Sequence, residues 1–461
     1  MPTFLFALFI GWGSLALGFP GPSAPPDAAA AARALDNLTD HPHMGITLPI
    51  LDGDFLFENL WWTWDDSFAD KWQMAFLTSE QKRKMVFSHY GLISNPAQPD
   101  LPIGFVKRQG FLAMNCLACH AGQVQGQMFI GVPNRNIDLH GLFNDMAILN
   151  PVGGLVLRTA ATSLGPERGL VTTFGMEQMS LQFRDQNMDL KLIPNFWGFF
   201  SDAVAKVPAW WNLNYKTHAF TDAVIPLTPR IFVTSAAAVW ESGPDFRAYE
   251  SAVSDAFELG KSTVPPKFPG PINLDLAAFG RKSFDQNCAR CHGHYDRQGQ
   301  ILNYPNRIVS LSNVGTDPMR LDLENGYQTA LDFLVKSWVA LDFKNSVNSP
   351  TGYLAPPLIG IWATAPYLHN GSVPTLEDLL NPGRRPLVWE KSADPDDYDL
   401  VKVGMRYRPL ENSSWHSDLS RGQQGLVYDT TKAGHSNQGH DYPDLLDEDE
   451  KRAVLEFLKL L

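Results

Sequence analysis

Residues 274–293 read "LDLAAFGRKSFDQNCARCHG". The first fourteen have the apolar spacing of an amphipathic helix, with Gly280 and Phe284 on one face, and the stretch runs directly into a C-x-x-C-H motif. Positions i, i+3 and i+4 share one side of a helical turn, so Cys288, Cys291 and His292 can all address one object. A near copy, "NCLACH", occupies 115–120 and offers Cys116, Cys119 and His120 in the same way. These two motifs use all four cysteines of the chain.

Three chemistries compete for such a pair. A zinc ribbon sets its two C-x-x-C pairs about 15 to 20 residues apart, whereas here Cys119 and Cys288 are far apart along the chain. A thioredoxin-like redox pair has no need of a histidine directly after its second cysteine, nor of a second copy. Covalent haem attachment uses every residue of both motifs: the thiols form thioethers to the haem vinyl groups and the adjacent imidazole binds iron. The sequence therefore predicts two haem c groups, on Cys116, Cys119 and His120 and on Cys288, Cys291 and His292.

Outward from the motifs, the C-terminal "DLLDEDEKRAVLEFLKLL" offers Asp447 as N-cap with Glu450 three residues on. Val454, Phe457, Leu458 and Leu461 follow at helical spacing. The expected fold is mainly α, with two cytochrome c-like haem domains, long loops and an N-terminal extension. "MPTFLFALFIGWGSLALG" reads as an export signal with no Lys or Arg ahead of its apolar run, followed by a Pro- and Ala-rich stretch. The expected divisions are 1–22 signal, 23–100 extension rich in tryptophan, 101–265 first haem domain and 266–461 second haem domain. The Pro-rich "STVPPKFPGP" marks the last boundary. The expected location is periplasmic or secreted, and peripheral membrane association through an uncleaved N-terminus is the rival.

The chain has 461 residues and 44% hydrophobic content, enough for more than one packed core. A formal net charge of −12 with no long basic run argues against a nucleic-acid partner.

The stretch "APPLIGIWATAPYLHNGSVPTLEDLLNPGRRP", 355–386, resembles the region after the second haem in the bacterial di-haem peroxidase superfamily. That superfamily includes di-haem cytochrome c peroxidases, the enzyme that matures methylamine dehydrogenase, and the di-haem rubber oxygenases. The ending "AGHSNQGHDYPDLLDEDEKRAVLEFLKLL" is similar to the rubber-oxygenase branch. The resemblance implies one haem that meets peroxide or dioxygen and another that stores electrons. It also implies a redox partner, either a small electron-transfer protein or a small oxidant or organic substrate. In the peroxidases a methionine some fourteen residues after the "PYLHNG" histidine closes the second haem. Here that count from His369 reaches Gly383. In the rubber-oxygenase branch the histidine of "SN-x-GH" closes it, which implies His440, with His435, Met405 and Met319 as alternatives. His369 is read as structural or propionate-facing.

For the first haem no distal ligand is recognisable. Met176, Met179 and Met188 lie downstream and are read as core. Trp210 and Trp211, in "NFWGFFSDAVAKVPAWW", are candidates for a catalytic or electron-relay role against ordinary core packing. A calcium ion is compatible with the resemblance, but no motif supports one. The expected function is an exported di-haem c-type oxidoreductase reacting at the haem on His120; the alternative is a di-haem electron carrier with both irons closed.

Overall fold

The computed structural model describes residues 26–39, 46–51, 53–64, 67–108, 111–150, 154–162, 164–171, 181–191, 193, 195, 203–238, 243–321, 327–347, 349–410 and 419–461. The proposed signal, 1–22, lies outside the described residues. Among them, no helix is long and apolar enough to cross a membrane. Helices of one to five turns alternate with two- and three-stranded antiparallel sheets and long connections.

The stretch before the second motif forms the helix Leu274–Asn287, N-capped by Asn273, whose side-chain oxygen accepts from Leu276 N at 3.0 Å. It packs against the C-terminal helix Glu448–Leu458. The capping box is present: the Asp447 carboxylate accepts from Glu450 N at 2.8 Å, and the Glu450 carboxylate accepts from Asp447 N at 3.1 Å. Glu450 also accepts from Ser283 Oγ at 3.0 Å, which ties the N-terminus of one helix to the side of the other. The backbones meet at Gly280, where a Cβ would stand 1.9 Å from Ala453 O. Phe284 and Phe457 close the crossing with ring centroids 5.2 Å apart. Burial of such a side chain contributes roughly 1.5–3 kcal/mol, so this pair organises the core beneath the second motif.

Around the first motif the core is shared with the N-terminal extension. Strand Ile46–Leu51 pairs antiparallel with Phe111–Met114, which pairs in turn with Phe105–Arg108. Phe57, from the helix Gly53–Asn59, meets Phe87 and Phe105 edge-on at 5.3 and 5.7 Å, and all three are buried. Ala118 belongs to this core, and Cys119 packs at its margin. On the other side, helix Ala28–Thr39 lies on Gly243–Ser262 over a second core containing Leu117, Ala121, Trp210 and Trp338. The extension thus supplies a strand and helices to the wall behind Cys116–His120.

Lys391 joins residues from distant parts of the sequence. Its buried ammonium donates to Arg135 O at 2.7 Å and Arg168 O at 2.6 Å. Burial pushes it well below the usual lysine range. Loop residue Asp396 accepts from Gly126 N and Gln123 Nε2.

Candidate haem sites

Both C-x-x-C-H motifs form the same single helical turn. In the first, Asn115 Oδ1 accepts from Leu117 N at 3.0 Å, and His120 N donates to Cys116 O at 2.9 Å. In the second, Cys288 N donates to Phe284 O at 2.8 Å, continuing the preceding helix, and His292 N donates to Cys288 O at 3.1 Å. Gly293 ends the turn with φ 88°, a conformation that suits glycine. The four thiols are not paired as disulfides.

The two cysteines and the histidine of each motif are half-buried, whereas Leu117, Ala118 and Ala289 between them are buried. Protein nevertheless surrounds the motif side chains closely enough to raise Cys116 to about 11 and Cys119 and Cys288 to about 12, and to lower His120 to about 4. The motif side chains thus keep some accessible surface while protein packs densely around them. At neutral pH these three thiols are protonated and the His120 imidazole neutral, the form in which it binds metal.

Each motif histidine turns Nδ1 towards protein and leaves Nε2 as the nitrogen available to a ligand. His292 Nδ1 lies 2.8 Å from Pro356 O. His120 Nδ1 is buried without a close hydrogen bond, and the Pro208 carbonyl is the group nearby that favours its protonation. A backbone carbonyl on Nδ1 is the usual means of fixing the tautomer of a metal-binding histidine. Sequence reasoning passed over both prolines, because their distances from the motifs are set by the chain path and not by any spacing rule.

His440 comes to lie opposite His292, with ring centroids 6.1 Å apart and ring planes at 61°. Two metal–nitrogen bonds of about 2 Å each, with the half-width of each ring, require about 6 Å between centroids. The gap therefore fits an iron between two imidazoles. Burial and the nearby His292 lower His440 to about 3, and its Nδ1 is buried without a partner. Of the alternatives, His435 is engaged elsewhere. His435 Nε2 lies 3.2 Å from the buried Glu167 carboxylate and its Nδ1 2.8 Å from Ala433 O. Met405 is buried in the core of the C-terminal helix, and Met319 is half-buried in the short helix Met319–Leu321. A Cβ at Gly383 would meet open space.

His369 stacks on Tyr353 at 4.2 Å and 21°, and burial lowers it to about 3.

Opposite His120 stands no second imidazole among the described residues; the ring stacked on it is Trp210, at 5.0 Å and 26°. Trp211 points the other way, donating from Nε1 to Ile359 O at 2.8 Å, three residues beyond the Pro356 that orients His292. The consecutive tryptophans thus link the wall behind His120 to the loop behind His292. Met188 is fully buried in the core with Leu117 and Trp210, while Met176 and Met179 lie outside the described residues.

The donor sets and histidine orientations fit haem c at both motifs. Residues 352–390, which include Pro356, His369 and Gly383, match the family model described as RoxA-like, cytochrome c-like. A cytochrome c-like domain implies haem c, and the match supports the rubber-oxygenase-like branch. Two proteins of Sinorhizobium fredii (strain NBRC 101917 / NGR234) are similar. "Uncharacterized protein y4iJ" is 30% identical over 43% of this chain and 41% of its own length. "Uncharacterized protein y4iM" is 32% identical over 38% of this chain and 43% of its own. The chain thus spans less than half the length of each of these curated relatives.

Proposed function

We propose that this protein is an exported di-haem c-type cytochrome oxidoreductase of the di-haem peroxidase superfamily. In this reading an oxidant, peroxide or dioxygen, meets the site on His120, and electrons pass through the site on His292. Haem c, when bound, supplies one-electron redox chemistry and, where a coordination position is open, oxidant binding. The observation that carries the reading is the asymmetry between the two motif histidines: His292 faces the imidazole of His440 with ring centroids 6.1 Å apart, whereas among the described residues the ring against His120 is Trp210.

Each residue has a task in this scheme. Cys116, Cys119, Cys288 and Cys291 anchor the groups. Pro356 O holds the His292 proton on Nδ1, so Nε2 is directed at the metal. His440 closes the second site and excludes exogenous ligands from it. Trp210 and Trp211 form the aromatic bridge between the two walls and serve as the electron path. The partner is a small electron-transfer protein or a small organic substrate.

Ligand binding by the purified holoprotein tests the reading. Cyanide, or carbon monoxide after reduction, is expected to bind roughly half of the total haem. His120→Ala should abolish that response and leave the other haem low-spin. If neither iron takes an exogenous ligand in any redox state, including after reduction of the second haem alone, the enzymatic reading fails and a di-haem electron carrier replaces it.

A further inference from the structure

His440 adopts φ 54° and the preceding Gly439 φ 78°. A left-handed backbone costs a non-glycine residue on the order of 1–2 kcal/mol, so the conformation that presents the imidazole has to be imposed by its surroundings. Part of the restraint is backbone: His440 N donates to Val314 O at 2.6 Å, and Gly439 lies against Gly315, where a Cβ would stand 2.3 Å from the carbonyl carbon. The remainder converges on one side chain. Arg385, nearly fully buried, directs its guanidinium at five main-chain carbonyls. Nη1 donates to Asn437 O and to Gly439 O, both at 2.7 Å. Nη2 donates to Leu379 O at 3.2 Å and reaches His440 O at 3.5 Å, and Nε lies 3.4 Å from Asp378 O.

This is an unusual use of a buried cation. A guanidinium has five N–H donors in a fixed planar fork, and here they are spread over two segments, with no carboxylate among the described residues directly bonded. One segment is the end of the short helix Leu376–Leu380; the other is the loop that carries His440. The fork spans both. Its sequence neighbour, Arg384, is exposed, with its guanidinium 4.0 Å from the Glu448 carboxylate.

We propose that Arg385 is the positioning residue for His440, holding its loop in the left-handed conformation that places the imidazole opposite His292. The inference rests on His440 being the ligand that closes the second haem. Lysine at this position keeps the charge but presents its donors from one point, so it cannot span the two segments at once.

The test uses full-length holoprotein and reads the low-spin EPR signal and the rate of cyanide binding. His440→Ala comes first and should convert the second haem to a high-spin, ligand-accepting state; an unchanged signal would withdraw the ligand assignment, and this proposal with it. Given that conversion, Arg385→Lys should lose part of the same low-spin signal and open the second haem to cyanide about tenfold faster, because the loop no longer holds His440 in place. Arg384→Lys should change neither. Arg385→Ala should lose more of the signal, and a few millimolar guanidinium, but not urea, should restore it. A variant that loads haem only when guanidinium is present supports the same assignment. Wild-type spectra and cyanide rates in both Arg385 variants, or a defect that guanidinium does not restore, would overturn it.

Discussion

Gly280→Ala places a methyl group where the motif helix crosses the C-terminal helix. A Cβ there would stand 1.9 Å from Ala453 O, 2.1 Å from Ala453 C and 2.6 Å from Val454 N. All three are backbone atoms, so no side chain can rotate out of the way. Carbon and oxygen rest at about 3.3–3.6 Å, so the helices must part by more than 1 Å, roughly. A radial gap of about 0.5–1 Å already forfeits a quarter to a half of the dispersion well between facing groups. Phe284, Val454, Phe457 and Leu458 are buried at this contact. At roughly 1.5–3 kcal/mol for each, losing a quarter of their burial costs about 2 kcal/mol. Overpacking strain adds about 1–3 kcal/mol, while the better helix propensity of alanine returns up to about 1. The balance is a destabilisation of about 3 kcal/mol, a fall of roughly 6–12 °C in the melting of this part of the molecule. Thermal melting followed by haem absorbance measures it, with the exposed Lys282→Ala as a control expected to shift by about 2 °C or less. The sign is diagnostic. If Gly280→Ala melts at or above the wild-type temperature, helix propensity outweighs the crossing contact and the close approach is wrong.

Cys116→Ala with Cys119→Ala should remove one haem from the intact mass after acid-acetone extraction, whereas the unaltered chain retains two; retention of one or none by the unaltered chain would sink the two-haem proposal. The buried Glu167–His435 pair, with Lys432 at 3.2 Å from the same carboxylate, makes stability depend on pH. Burial lowers His435, but its hydrogen bond and charge attraction to Glu167, with the Ala433 carbonyl, together outweigh that and raise it above its ordinary 6.5. Its contribution is therefore complete below 6.5 and is lost as pH rises through the raised value. Burial acts to raise Glu167, but His435 and Lys432 hold it below 4.5, so its contribution is present above 4.5 and lost as pH falls through the lowered value. Urea midpoints should be highest between these two limits and decline towards pH 8, and Glu167→Gln should flatten that decline. An unchanged slope in the variant would remove the pair from the pH dependence.

Short-range rules made much of the candidate site's local geometry legible without any structure. The turn that brings Cys288, Cys291 and His292 to one face follows from i, i+3 and i+4 geometry, and the Asp447 and Glu450 cap follows from the donors that every helix start leaves unpaired. Gly280 and Phe284 were readable as a contact face for the same reason: spacing within a helix fixes direction. His440 was nominated only by likeness to a family, because nothing local distinguishes it from His435, five residues earlier. Tertiary structure separated the two. One turns to a buried carboxylate, and the other is held opposite His292 by backbone contacts at Val314 and Gly315. The carbonyls of Pro208 and Pro356, the divergence of Trp210 from Trp211, and the contrast between buried Arg385 and exposed Arg384 were equally invisible in the sequence. Each depends on which distant segments pack together, and that is set by the whole chain path rather than by the few bonds around one residue.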